Sequence, residues 1–160
     1  KTDLAGNTSL RCAVESRYKT AVKRLLDAGA SINVRNANDQ TPLIVATYGG
    51  DHEIVNLLLS KGADVYKRDM TGNMAISYAI IQGHETVFSF LIDKYEEMND
   101  TDKFGNTLLH HALKHNAISL AEKLIAKGAN NEKKDKQGNS PLDIAIEVSA
   151  RPVIDLLTKK

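Results

Sequence analysis

Apolar residues return along this chain at a fixed interval of 33 residues. Alanine occupies one such series, at Ala13, Ala46, Ala79, Ala112 and Ala145. Leucine occupies another, at Leu25, Leu58, Leu91, Leu124 and Leu157. A period of this length predicts a chain of stacked structural repeats. The invariant alanine predicts a close approach of two helices, and the invariant leucine predicts a core anchor.

Five copies of the repeat begin at residues 3, 36, 69, 102 and 135, with no insertion between them. The last copy is 26 residues long. We number the positions of each copy from 1 to 33. Asp-x-x-Gly-Asn-Thr/Ser-x-Leu opens the first, fourth and fifth copies, and the second and third copies open with weaker versions of it.

Each copy has the polar and apolar pattern of a turn, a helix, a second turn and a second helix. Hydroxyl side chains that can cap the first helix are Thr8, Thr41, Thr107 and Ser140. Pro42 and Pro141 follow at the first helical position. Gly50 and Gly83 separate the two helices, and Gly29, Gly62 and Gly128 end the second helix. Residues suited to a positive φ precede the first helix at Gly6, Asp39, Gly72, Gly105 and Gly138.

The predicted helices have about nine or ten residues, which makes them marginal in isolation. Each helix pair has two apolar sides, so neighbouring pairs must stack to bury both of them. The pattern therefore predicts one all-α domain over residues 1–160.

Composition excludes several classes of protein. Of 160 residues, 42% are hydrophobic, and 21 basic residues nearly balance 20 acidic residues, for a net charge of +1. A disordered chain has fewer apolar residues, and a protein that binds nucleic acid through bulk charge is more basic. No apolar run approaches the length of a membrane span. Cys12 is the only cysteine, which excludes an intrachain disulfide.

The 33-residue period, with Gln-Thr-Pro-Leu-Ile-Val-Ala at 40–46 and Gly-Asp-His-Glu-Ile-Val at 50–55, resembles the ankyrin repeat family over essentially the whole chain. The resemblance implies a solenoid of stacked antiparallel helix pairs with projecting hairpin-like turns, here called fingers. It also implies a non-catalytic scaffold that needs no cofactor and binds other proteins on its concave face.

The third copy departs from the family pattern at two points. Met74 replaces the capping hydroxyl, and Tyr95 begins a segment that replaces the usual Gly-Ala-Asp. The lost cap predicts that repeat three is the weakest and that Met74→Thr is stabilising. Loss of the terminal glycine predicts either strain or a longer second helix.

Three histidines, at His110, His111 and His115, are the strongest candidates for metal chemistry. His111 and His115 share one helical face and could form part of a metal-dependent enzyme. No third ligand or H-E-x-x-H motif accompanies them, so we expect no catalytic residue and no metal site. We expect His110 to bond Thr107 or a neighbouring turn, and His111 and Cys12 to be buried at repeat interfaces.

The fingers have a mild positive bias, from Arg35, Lys67, Arg68, Lys103, Lys133, Lys134 and Lys136. These residues leave open a second hypothesis, a nucleic-acid-associated protein that uses basic finger tips. A solvated edge is the simpler interpretation.

The partner surface is predicted from helical geometry. Position 13 lies about 140° from the core direction set by position 8, so it should face outward. Apolar Tyr48 and Ile81 hold this position in the middle repeats, and Met70 and Phe104 lie on adjoining fingers. We predict an apolar patch of these four residues, rimmed by Arg68, Lys103, Lys114 and His115. The alternative is that these side chains pack on the next repeat.

The sequence thus predicts a protein–protein interaction module with a protein or peptide partner. We expect a monomer without membrane insertion or nucleic-acid binding, and a cytoplasmic location because nothing in the chain requires oxidising conditions.

Overall fold

The computed structural model describes residues 9–158, and within that range the protein is all-α, with ten helices and no strand. The helices are α1 (Ser9–Glu15), α2 (Lys19–Asp27), α3 (Pro42–Tyr48), α4 (His52–Ser60), α5 (Ala75–Ile81), α6 (Glu85–Ile92), α7 (Leu108–Lys114), α8 (Ile118–Ala126), α9 (Pro141–Glu147) and α10 (Arg151–Thr158). Each copy of the repeat supplies two of them, as predicted. None of these helices has the length and hydropathy that crossing a membrane would require.

The first helix of each copy is shorter than predicted, at seven residues. It ends because the second residue after the end of the helix has a left-handed backbone conformation. Gly50 and Gly83 hold that conformation in copies two and three, as the sequence predicts. The other copies use residues that the sequence did not reveal, Arg17, Asn116 and Ser149, with φ between 54° and 56°.

The predicted helix caps are present in the described residues. The hydroxyls of Thr41, Thr107 and Ser140 accept hydrogen bonds from backbone N–H groups three residues later, at 3.2–3.4 Å. Pro42 and Pro141 begin their helices. Thr8 and Gly6 lie outside the described residues. Each cap satisfies a backbone donor that the helix itself leaves free.

The chain divides into two compact units, one extending to Lys94 and the other beginning at Tyr95. In the first unit, α1, α3 and α5 pack in a row, and α2, α4 and α6 form a second row. In the second unit, α7 packs on α9 and α8 packs on α10. Each unit therefore repeats one helix-pair interface, as a repeat protein requires.

The fingers are tight turns built on position 1, which is Asn36, Asp69, Asp102 or Asp135. The position-1 side chain accepts backbone N–H groups from positions 3 and 5 of its own finger. Position 4 has a positive φ in all four described fingers, whether it is Asp39 or glycine. The polar first residue and the left-handed fourth residue together fix the turn.

The invariant alanines are buried in every repeat, with exposed fractions between 0% and 8%. The leucine series is buried in the middle, at Leu58, Leu91 and Leu124, and half-buried at Leu25 and Leu157. These values confirm that the leucine is a core anchor in repeats two to four and that the alanine is interior in all five.

Repeat three ends its second helix early. Helix α6 stops at Ile92, so the predicted longer helix is wrong. No residue from 93 to 97 has a positive φ, so replacing the usual glycine causes no left-handed strain. The chain leaves the helix through Asp93 in a right-handed conformation, and Tyr95 is buried.

Met74 is a packing residue as well as a poor cap. Its side chain is only 2% exposed. No side-chain hydrogen bond caps α5, although Ser77 Oγ accepts the Met74 backbone N–H at 3.4 Å. Burial of a methionine side chain contributes about 1.5–3 kcal/mol, more than the roughly 1 kcal/mol of a hydroxyl cap. The structure therefore reverses the expectation that Met74→Thr is stabilising.

We predict that Met74→Thr lowers the free energy of unfolding by about 1 kcal/mol, the difference between lost burial and gained cap. Urea unfolding of the two proteins measures this value. Met74→Leu, which keeps the apolar volume, is the matched control and should change it less. A clear gain in stability for the threonine variant would show that the cap outweighs the packing.

Candidate functional site

An exposed aromatic side chain, Tyr48, ends the first helix of repeat two. It is 54% exposed, and its ring meets the ring of Tyr78 edge to face, with centroids 5.6 Å apart. Aromatic pairs favour this arrangement. Tyr78 in turn donates its phenolic hydrogen to Asp69 Oδ2 at 2.5 Å. Tyr48 therefore packs against Tyr78, which is itself held by a hydrogen bond to Asp69.

Through Asp69, Tyr78 also contacts the finger of repeat three. Burial, and then the neighbouring Asp69 carboxylate, raise the pKa of Tyr78. The phenol therefore remains a hydrogen-bond donor at neutral pH. Met70 follows Asp69 at the finger tip and is 53% exposed. Its backbone N–H donates to the Asn38 carbonyl on the preceding finger at 3.1 Å.

Ile81 and Arg68 are the other two predicted patch residues of the first unit. Ile81 lies one turn beyond Tyr78 on α5 and is half-buried. Arg68 is also half-buried and donates to the Gly72 carbonyl at 2.9 Å. We call Tyr48, Met70, Ile81 and Arg68 the Tyr48 surface.

A groove of about 280 Å³ adjoins Tyr48. Its lining residues are Val14, Glu15, Arg17, Val45, Ala46, Tyr48, Gly49 and Asp51. The groove has an apolar floor of valine and alanine between charged side chains of both signs. Arg17 donates to the Gly49 carbonyl at 2.7 Å, which fixes the guanidinium beside the groove. An aliphatic or aromatic side chain of a partner matches this floor.

His84 fixes the backbone just after Tyr48. Its Nε2 lies 3.2 Å from the Tyr48 carbonyl oxygen. Its ring also covers Gly50 so closely that a Cβ there would lie within 2.9 Å of three ring atoms. His84 therefore packs against the turn that follows Tyr48.

Among the described residues of the second unit, Phe104 is the most exposed large apolar side chain, at 61%. It lies at the finger tip beside exposed Lys103. The Phe104 carbonyl accepts the Lys136 backbone N–H from the next finger at 2.9 Å. His115, the C-cap of α7, is also exposed. We call Phe104, Lys103 and His115 the Phe104 surface.

Lys114, the remaining predicted rim residue, links two fingers within the second unit. Its ammonium group lies 2.6 Å from Asn106 Oδ1 and 2.8 Å from Asp135 Oδ2. Burial by itself would raise the pKa of the Asp135 carboxyl. Lys114 and two backbone N–H groups outweigh burial, and the pKa lies below its usual value. Lys114 is therefore bonded within the unit.

His110 uses both ring nitrogens in structural hydrogen bonds. Nδ1 lies 3.1 Å from the Thr107 backbone nitrogen, and Nε2 lies 3.1 Å from the Asn139 carbonyl oxygen. Because a carbonyl only accepts, Nε2 carries the hydrogen and Nδ1 accepts. Burial lowers the pKa of His110, in keeping with a neutral ring. This confirms the predicted bonds to Thr107 and a neighbouring turn.

His111 is buried, as predicted, and its Nε2 lies 3.2 Å from Asp102 Oδ2. Burial lowers the pKa of His111 to about 4 despite the opposing effect of Asp102. The His111 imidazole is therefore neutral at neutral pH. Among residues 9–158, no three histidine, cysteine or acidic side chains are grouped to hold a metal ion.

The expectation that Cys12 is buried is wrong, because its thiol is exposed. At the same repeat position, Tyr78 and His111 are long enough to reach the position-1 carboxylate of their own finger.

Several basic finger side chains have local partners. The Lys67 Nζ lies 3.0 Å from Asp64 Oδ2, and the Arg35 Nη1 lies 3.6 Å from Asp39 Oδ1. The Lys133 ammonium group donates to the Asn99 carbonyl. The two carboxylates offset the positive charge of Lys67 and Arg35 that the fingers would present to a polyanion. Such ion pairs are typical of a solvated edge.

The position-1 carboxylates were missed as organising residues of the site. Asp69 orients Tyr78, Asp102 faces His111, and Asp135 holds Lys114. The signal was available in the sequence, because aspartate or asparagine opens every copy. Such residues often hydrogen-bond the backbone two residues later.

Comparison with known proteins gives two findings. A family model described as ankyrin repeats (3 copies) matches residues 10–102 and 76–160. The human transient receptor potential cation channel subfamily A member 1 is 44% identical over 52 residues. That match covers 32% of this chain and 5% of the channel subunit, so the chain spans a small part of this relative's length.

Proposed function

Because this chain belongs to the ankyrin repeat family, whose members are generally protein–protein interaction modules, we propose that it binds a protein or peptide partner without catalysis. The observation that carries the proposal is the exposure of Tyr48 beside an apolar groove. The Tyr48 surface is the main contact.

The Tyr48 surface has the features of an interface hot spot. Tyrosine is enriched at such sites, where a rigid aromatic group is surrounded by a polar rim. Tyr78 and His84 hold Tyr48 in place before any partner arrives, which reduces the entropy lost on binding. Arg17 and Arg68 supply positive charge. The matching partner presents an aliphatic or aromatic anchor flanked by acidic groups.

The Phe104 surface makes a second contact of the same chemistry. Phe104 provides an exposed ring, and Lys103 and His115 provide the polar rim. On this proposal both units serve one module, which acts as a monomer in the cytoplasm. Positive charge at Arg68 and Lys103 favours an acidic partner segment.

Tyr48→Ala is predicted to weaken partner binding by about 30-fold or more, which corresponds to the roughly 2 kcal/mol of a hot-spot residue. The partner is first identified by affinity purification from the native cell and mass spectrometry. Calorimetric titration of that partner then gives the Kd, and a thermal melt of each variant checks folding.

Tyr18→Ala is the matched control. Tyr18 is a tyrosine in the same unit, is 67% exposed and lies outside the Tyr48 surface. It should leave the Kd unchanged. Equal affinities for wild type and Tyr48→Ala would contradict the proposed site. A lower melting temperature for Tyr48→Ala with unchanged affinity would assign the side chain to repeat packing.

A further inference from the structure

The fold exposes one of the three methionines of this chain and covers the other two. Met70 is 53% exposed, whereas Met98 is 9% exposed and Met74 is 2% exposed. Oxidation of a sulfur-containing side chain follows its exposure, because the oxidant must reach the sulfur. Met70 is therefore the methionine that a soluble oxidant reaches in the folded protein.

The backbone of Met70 is fixed by bonds that do not involve its sulfur. Its N–H donates to the Asn38 carbonyl of the preceding finger at 3.1 Å. Within its own finger, Asp69 Oδ1 accepts the backbone N–H groups of Thr71 and Asn73 at 2.8 and 3.1 Å. A chemical change at the sulfur therefore alters the finger tip and leaves these hydrogen bonds in place.

Met70 directly follows the residue that anchors the neighbour of Tyr48. Asp69 Oδ2 accepts the phenolic hydrogen of Tyr78, and the Tyr78 ring meets the Tyr48 ring. A flexible, polarizable thioether packs well against aliphatic and aromatic groups of many shapes. An unmodified Met70 side chain therefore suits the apolar anchor of the partner proposed for the Tyr48 surface.

We propose that Met70 is a redox-sensitive site, at which a peroxide oxidises the thioether to the sulfoxide and thereby weakens partner binding. The sulfur lone pair forms a bond to one peroxide oxygen, and the O–O bond breaks. The proton of that oxygen passes to the departing hydroxide, so hydrogen peroxide is reduced to water while the sulfur is oxidised. No other residue takes part in this balance.

The sulfoxide changes the chemistry of the finger tip. It replaces an apolar thioether with a polar S=O group, which favours contact with water over contact with an aliphatic or aromatic anchor. This effect on affinity rests on the proposed role of the Tyr48 surface, whereas the selectivity for Met70 rests on exposure alone. We expect the sulfoxide to raise the Kd by about tenfold, as losing much of the burial of one methionine side chain does.

The first experiment locates the oxidised methionine and needs no partner. Cys12 is exposed and also reacts with peroxide, so a Cys12→Ser protein is used. After hydrogen peroxide treatment and trypsin digestion, Met70 and Met74 lie on one peptide, residues 69–94, and fragment-ion mass spectrometry separates them. Met70 should oxidise at least about tenfold faster than Met74, with Met98 between them, because a buried thioether reacts only when the chain opens locally. In concentrated urea the three rates should converge.

The second experiment is a calorimetric titration of oxidised and untreated protein with the partner that affinity purification from the native cell identifies. Catalase removes the peroxide before the partner is added. The oxidised protein should bind about tenfold more weakly, and methionine sulfoxide reductases A and B together should restore the original Kd. Met70→Leu, which is apolar and has no sulfur, is the matched variant, and its Kd should be the same before and after peroxide treatment.

The possible failures are distinguishable. Equal oxidation rates at Met70 and Met74 in the folded protein would overturn the reactive site, whatever the partner does. A loss of affinity in peroxide-treated Met70→Leu would assign the redox effect to another residue. A Kd that Tyr48→Ala raises and peroxide leaves unchanged would overturn the redox effect alone. A Kd that neither change affects would overturn it together with the proposed function of the Tyr48 surface.

Discussion

Gly105→Ala is expected to lower the free energy of unfolding by about 3 kcal/mol, whereas Gly138→Ala should lower it by about 1 kcal/mol. Both glycines have a left-handed φ, 82° and 88°, so alanine strains both equally. Only at Gly105 does the added Cβ meet a neighbouring backbone, at the Lys136 nitrogen. Moving that nitrogen away breaks its hydrogen bond to the Phe104 carbonyl.

Urea unfolding of wild type and the two alanine variants measures this pair of values. Because the conformational strain is common to both, their difference isolates the contact between adjacent fingers. If both variants lose the same free energy of unfolding, the fingers can move apart without cost. Finger pairing would then not stabilise the second unit.

The second large effect is the pH dependence of the free energy of unfolding that His111 causes. Its pKa is about 4 in the folded protein, against a usual value of 6.5. Between these pH values the unfolded chain binds a proton that the folded chain does not, so stability falls as pH decreases. The shift corresponds to roughly 3 kcal/mol. Burial is the main cause of the lowered pKa. The charge of Asp102 raises the pKa, and the charges of His115 and Lys114 lower it further.

His111→Val is expected to remove this part of the pH dependence. Valine occupies the same repeat position at Val45, so the substitution keeps an apolar interface. The free energy of unfolding of both proteins is measured by urea titration from pH 7 to pH 4, and the difference between them should change by about 3 kcal/mol over that range. A constant difference would show that His111 accepts its proton without disturbing the fold.

Local rules explain why much of the fold could be predicted from the sequence. The caps at Thr41, Thr107 and Ser140 and the left-handed Asp39 follow from the chemistry of single residues and their immediate neighbours. Repetition strengthened each assignment, because an invariant alanine at one position implies one packing solution used five times. Helical periodicity likewise predicted that Tyr48 faces solvent.

The features that escaped prediction depend on contacts between distant residues. The sequence gives Met74 as a missing cap, but its burial depends on how neighbouring helices pack around it. Lys114 has the sequence signature of a solvated lysine, yet Asn106 and Asp135 surround its ammonium group. Arg17 adopts a left-handed φ that its own propensity disfavours.

Partner affinity of a Tyr48→Ala, Phe104→Ala double variant tests most directly whether these exposed rings bind the partner. The Kd and the melting temperature are measured together for wild type, each single variant and the double variant. The proposal predicts an affinity loss in each single variant, a larger loss in the double variant, and melting temperatures within about 2 °C of wild type, since exposed substitutions cost little stability. Unchanged affinity in the double variant, with folding intact, would contradict it.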